Sequence, residues 1–144
     1  MIKKFLRPGK YPTNVNLGLL IFRIGISAMM ITHGWGKFQK VLNGDFSFGD
    51  PLGIGVEASL ILAAFAEFIC SCLLILGLTT RFATIPLIVT MLVAWQIAHG
   101  DDPFSSQEKS VFYLLSYVFI LITGPGKYSL DHKLFGKKGV RSLS

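Results

Sequence analysis

Charge is scarce in this sequence: charged residues fill 15% of 144 positions, against about 25% in a typical soluble domain. A soluble domain of this size has too much surface to cover with so few charges. Hydrophobic residues make up 51% and mean hydropathy is +0.56, which excludes a disordered chain. Cysteine is nearly absent. Two of them, Cys70 and Cys72, make no disulfide scaffold. Two apart on a helix, they point about 200° from each other and cannot bridge, so they read as small core residues. No Cys-x-x-Cys supports thiol–disulfide chemistry. There is no Walker loop, dinucleotide-binding glycine pattern, His-Glu-x-x-His or nucleophile elbow, so soluble-type catalysis is unsupported. The length predicts a single domain over residues 1–144, without internal repeat or low-complexity segment.

What charge there is sits in particular places. The net charge is +6. Residues 1–13 hold Lys3, Lys4, Arg7 and Lys10 without an acid, and residues 124–144 hold Lys127, Lys133, Lys137, Lys138 and Arg141 against Asp131. A nucleic-acid protein would spread its basic residues over a folded surface. Here they flank apolar blocks, the pattern of a membrane protein, so the predicted surroundings are a lipid bilayer and no nucleic acid.

The blocks predict spans at about 16–38, 56–78, 82–99 and 106–123, given that a span needs about 20 residues. The last is short unless it starts near Ser105 and Ser106, either of which suits a helix cap. The first is too long for a signal peptide and has no small-residue cleavage site. The positive-inside rule puts both basic tails, 1–13 and 124–144, in the cytoplasm and so requires an even number of spans. Short connections make neighbouring helices antiparallel. The predicted fold is all-α: an integral membrane antiparallel four-transmembrane-helix bundle. The loop over 39–55 reads equally as a lid on the bundle mouth or as a plain surface loop.

Ionisable groups inside spans are costly and point to function. Arg23 lies about 10 Å into the first span and Glu67 about 16 Å into the second, both from the cytoplasmic side. Their depths predict an Arg23–Glu67 ion pair, either fixing helix register or lining a polar path. Arg23, His33, Gly34 and Lys37 share one face of the first helix, which should point into the bundle. Leu60, Ala63, Ala64, Ser71 and Leu74 share the Glu67 side of the second, where small residues permit close helix approach.

Trp95, Gln96 and His99 close the third span. His33 and His99 at similar depth raise three ligand possibilities. Haem would need both histidines aimed at one centre, and a metal would need them to gather with Glu57 or Asp101. A quinone headgroup needs a neutral or cationic donor for a carbonyl oxygen, aromatic walls and a lipid-accessible mouth, which His33, Lys37, His99, Trp35 and Trp95 offer, and it fits best. The ligand-binding candidates are Arg23, His33, Lys37, Glu67, Trp95 and His99, with His33, Glu67 and His99 as proton relays. No resident metal is predicted. Trp35 and Trp95 also suit an aromatic belt at the headgroup level.

Arg23, the run His33-Gly34-x-x-Lys37-Phe38, Glu67, Gly77-Leu78-Thr79-Thr80-Arg81 and the closing Gly124-Pro125-Gly126-Lys127-Tyr128-Ser129-Leu130-Asp131 together resemble the DoxX family of small four-helix membrane proteins. The likeness covers about residues 16–131, with Lys127 where that family often has Arg. The resemblance implies a multi-pass protein of the bacterial inner membrane that serves as a quinone- or redox-linked subunit with redox partner proteins. Distant relatives act in assembly or chaperoning, so a non-enzymatic partner-binding protein is the alternative. A transporter is a weaker one, for lack of a broken-helix pair. The residues themselves suggest a pairing of Arg81 with Asp131 across the cytoplasmic face, and they leave a homo-oligomer open.

Overall fold

The computed structural model describes residues 2–136. The predicted tail charges Lys137, Lys138 and Arg141 lie outside the described residues, as do the side chains of Lys3 and Lys4. Among the described residues there is no strand. Six helices follow one another: α1 (Ile2–Leu6), α2 (Thr13–Leu42), α3 (Val56–Leu76), α4 (Thr80–Ala98), α5 (Phe104–Thr123) and α6 (Leu130–Phe135).

Three of them, α2, α3 and α4, are long and apolar enough to cross a membrane. The fourth predicted span is coarser in outline. α5 has 20 residues, but its first turns, Ser105-Ser106-Gln107-Glu108-Lys109, are polar, which leaves residues 110–123 as its apolar part. The serines do not cap it. Pro103, at φ −56 and ψ 147, starts the helix without a side-chain cap, as proline's fixed φ allows.

The long helices are antiparallel neighbours. Gly34 of α2 lies against Glu67 of α3, while Arg23, further back on α2, lies against Gly77 at the far end of α3. Trp95 near the end of α4 meets Gln107 near the start of α5, and Arg81 meets Leu121 at their other ends. The core between them holds Ile26, Met30, Cys70, Leu74, Leu87, Met91, Tyr117 and Ile120. Outward faces keep Ile21, Ile24, Ile85, Leu115 and Ile122 exposed, an apolar belt that suits lipid contact.

Two stretches widen to π-helix: Phe65–Cys70 within α3 and Ala94–Ala98 closing α4. The sequence pattern gives no sign of them. Such widened turns are uncommon and recur at functional sites.

One end of the bundle carries both tails and the other carries the two longer loops. At the tail end, α3 stops at Gly77 (φ 66). A Cβ there would approach the Ser129 Cβ at 2.5 Å and the Arg23 Cζ at 3.0 Å, so the position excludes side chains by both space and backbone angle. Thr79 follows at φ 47, a left-handed conformation unusual for a β-branched residue.

Candidate functional site

The predicted Arg23–Glu67 pair does not form. Glu67 is 4% exposed and its Oε2 accepts a hydrogen bond from Lys37 Nζ at 2.5 Å. The register explains the change. Gly34 is the residue packed on Glu67, and Lys37 lies one turn further along the same face. Arg23 sits about 16 Å from Gly34 in the opposite direction along α2. Its guanidinium, 2% exposed, donates to the carbonyl of Pro125 and, at 2.7 Å, to that of Tyr128. Arg23 therefore ties α2 to the segment after α5.

The predicted Arg81–Asp131 pair does not form either. Asp131 accepts the backbone N–H groups of Thr79 and Thr80 at 2.7 and 2.8 Å, and its own N–H donates to the Gly77 carbonyl. A carboxylate on the first amides of α4 satisfies orphan donors and opposes the helix dipole. Arg81 donates instead to the carbonyls of Leu121 and Ile122 at the end of α5, and to those of Phe5 and Arg7. The Gly124-to-Asp131 run is thus a fitted clasp across the tail end.

Lys37 and Glu67 stand between two cavities. The larger, about 630 Å³, opens at the loop end between α3, α4 and the 43–55 loop. Its walls include Leu62, Ala63, Val89, Val93 and Ile97, and its rim includes His99. The smaller, about 140 Å³, lies between α2, α4 and α5 and is lined by His33, Lys109 and Tyr113. Both include Lys37 and Glu67 in their walls. Glu67 comes from the π-helical stretch of α3, and Ala94, Ile97 and Ala98 from that of α4. The two widened turns therefore face the same cleft.

The loop is folded over this cleft. Lys40 Nζ donates to the Ser47 carbonyl at 2.8 Å. Asp50 accepts from the N–H groups of Ile54 and Gly55 and from the Ser59 hydroxyl on α3. The Lys37 ammonium lies 5.9 Å from the Phe48 ring centre, within cation–π range. Hydrogen bonding to Gly55 above all holds the Asp50 carboxylate below the usual carboxylate range, and that to Ser47 does the same for Asp45.

The remaining predicted residues separate. His33 and His99 line different cavities. His33 meets Tyr113 edge-on, with ring centres 6.0 Å apart, and His99 Nδ1 sits 2.7 Å from Asp102 Oδ2. A haem bridging the two histidines does not fit this arrangement. Among the described residues no three His, Cys, Asp or Glu side chains gather as metal ligands. Trp95 is turned away from the cleft, with Nε1 donating to Gln107 Oε1 at 2.9 Å. Cys70 is buried and free, and Cys72 is partly exposed and free. Between the Lys37–Glu67 level and the tail-end clasp, the hydroxyls of Ser27, Ser71 and Tyr117 are buried without a hydrogen-bond partner among the described residues.

Fold and site together define an all-helical membrane protein in which a half-buried lysine pairs with a buried glutamate under a folded loop. The DoxX family profile matches residues 18–100, and the chain belongs to the DoxX family. An uncharacterized protein of Haemophilus influenzae is 33% identical over 130 residues, covering 83% of this chain and 92% of the relative. An uncharacterized membrane protein of Mycobacterium tuberculosis is 30% identical over 145 aligned positions, covering 81% of this chain and 80% of the relative. No solved structure matches the chain.

Proposed function

We propose that this protein is a four-span subunit of a redox-linked system in the bacterial inner membrane, and that the loop-end cleft binds a quinone headgroup. In this reading α5 is the fourth span, with Lys109 snorkelling at its loop end. The basic tails lie in the cytoplasm. The observation that carries the reading is the Lys37–Glu67 pair in the wall of a largely apolar cleft open at one side, whose other polar lining residues are Asp50, Ser59, Thr90 and His99. Ligand sites are mostly apolar, with a few polar groups that fix orientation, and an ionisable pair inside a span is costly enough to demand a role.

Reducing a quinone to a quinol takes two electrons and two protons. The electrons come from a reduced partner protein. Lys37 would hydrogen-bond one carbonyl oxygen of the headgroup and supply the first proton to it. Glu67 holds the ammonium in place, and the smaller cavity with His33 and Tyr113 is the route by which protons are replaced. His99, in the lining of the same cleft, would supply the second proton, to the other carbonyl oxygen.

The Gly34 contact favours a second reading, in which the same pair only fastens α2 to α3 inside an assembly or partner-binding protein. One experiment separates the two. The protein is purified in mild detergent, bound quinone is extracted, and unfolding is followed with and without a short-chain quinone. Quinone carried by the wild type and lost from a Lys37→Met, Glu67→Leu double variant that still folds supports the redox reading. No extractable quinone and no shift on adding it sinks that reading and leaves the fastener.

A further inference from the structure

At the tail end, remote from the loop-end cleft, lies a third cavity of about 310 Å³ lined by Arg7, Lys10, Tyr11, Asn16, Lys127 and His132, with Pro8, Gly9 and Gly136 completing its wall. Its lining holds three cations and a histidine, and no carboxylate. The nearest acid in sequence, Asp131, is occupied by the amides of Thr79 and Thr80. We propose that this cavity is a binding site for the phosphate of an anionic phospholipid headgroup.

The site is built. Asn16, 3% exposed, donates from Nδ2 to the carbonyls of Tyr11 and Pro12 and accepts at Oδ1 the N–H of Lys127 at 2.7 Å. One side chain therefore fixes both the segment that carries Arg7 and Lys10 and the turn that carries Lys127. The Tyr11 hydroxyl donates to the Thr123 carbonyl at the end of α5, which holds the wall against the last helical turn. The three cationic side chains make no hydrogen bond or ion pair among the described residues, and Nδ1 of His132 is buried without a partner among them.

The position selects the ligand. Arg7 and Lys10 immediately precede α2, and Lys127 follows α5, so the cavity opens at the level where membrane-length helices end. Tyr11 and Tyr128 stand at the same level, as interfacial aromatics do. Arg offers a planar fork that matches phosphate oxygens and Lys a point charge, and basic pockets between spans hold acidic headgroups. A volume near 310 Å³ is small among ligand sites, which run from about 300 Å³ upward, and suits a headgroup whose acyl chains stay outside.

The test uses the full chain in detergent, titrated with phosphatidylglycerol, phosphatidylcholine or glycerol phosphate and followed by native mass spectrometry. Phosphatidylglycerol should bind in preference to phosphatidylcholine. Each cation near an anionic headgroup is worth about fivefold in affinity, so Arg7→Gln with Lys127→Gln should weaken binding about 25-fold. Lys133→Gln removes the same charge nearby, off the cavity lining, and should leave binding unchanged. Lys10→Gln alters an exposed side chain and gives its own roughly fivefold loss should the double variant not fold. Equal losses in Lys133→Gln and Lys10→Gln, or no preference between the two lipids, would overturn the site. Binding of glycerol phosphate as tight as that of the lipid upholds the pocket and assigns its phosphate to a soluble source.

Discussion

Gly34 lies directly on the backbone of Glu67: a Cβ on Gly34 would stand 2.6 Å from the Glu67 carbonyl carbon and 2.7 Å from the Phe68 nitrogen. Both neighbours are main chain and cannot step aside. Gly34→Ala should therefore push α2 from α3 and lower stability by about 1–3 kcal/mol, the usual cost of overpacking. Gly36, on the same helix with nothing near its Cβ position, gives the opposite expectation. Gly36→Ala should raise stability by up to about 1 kcal/mol through helix propensity. Thermal unfolding of the two variants in one detergent checks the contrast, and equal shifts would refute the close approach.

The clasp at Asp131 makes a second pair of expectations. Asp131→Ala removes two amide acceptors from the start of α4 and should cost about 0.5–2 kcal/mol, as lost caps do. Thr79→Gly keeps the N–H that Asp131 receives while relieving a left-handed β-branched residue. It should stabilise by about 1 kcal/mol, within the range of such strain. Chemical denaturation midpoints measure both, and a destabilised Thr79→Gly would show that the Thr79 side chain, not its backbone, matters.

Acid should open the 43–55 loop. Asp50 is held below the carboxylate range chiefly by the Gly55 N–H, with Ser59 and the Ile54 amide adding to it, and Asp45 is held down by Ser47. A depressed folded value means that these bonds contribute fully above the unfolded value, near 3.8, and are lost as pH falls through the lower folded value. Pepsin cleavage in the loop should accelerate across that window in the wild type. In Asp50→Ala it should already be fast at the upper edge. A rate in the wild type that ignores pH there would rule out the carboxylate as the loop's fastener.

Much of this arrangement was legible in the sequence, and the exceptions have physical causes. Of the four residues that 3.6-residue periodicity puts on one inward face, His33 is exposed and Arg23 is buried at the tail end, whereas Gly34 and Lys37 do meet Glu67. The choice between Lys37 and Arg23 as its partner was not legible. Depth from a helix end gives a level in the bilayer but not the register of one helix on another, and that register is set by where Gly34 lets the backbones touch. The π-helical turns at Glu67 and at Ala94–Ala98 leave no signature in composition, since they differ from α-helix only in which carbonyl each amide reaches. The tail-end motif was visible as a pattern. Its purpose was not, because the acceptors for Arg23 and Arg81 are main-chain carbonyls, which every sequence contains.

Arg23 waits for Pro125 and Tyr128, partners 102 and 105 residues away along the chain. At a synthesis rate of about 5–20 residues per second, its acceptors emerge on the order of 5–20 s after it does. During that interval the Arg23 guanidinium lacks both of its folded-state acceptors, so α2 takes its final setting only once residues 125–128 reach it. Synthesis through residue 128 is thus the earliest point at which this contact can fasten α2, and a chain cut short before residue 125 would lack both of the acceptors that Arg23 uses.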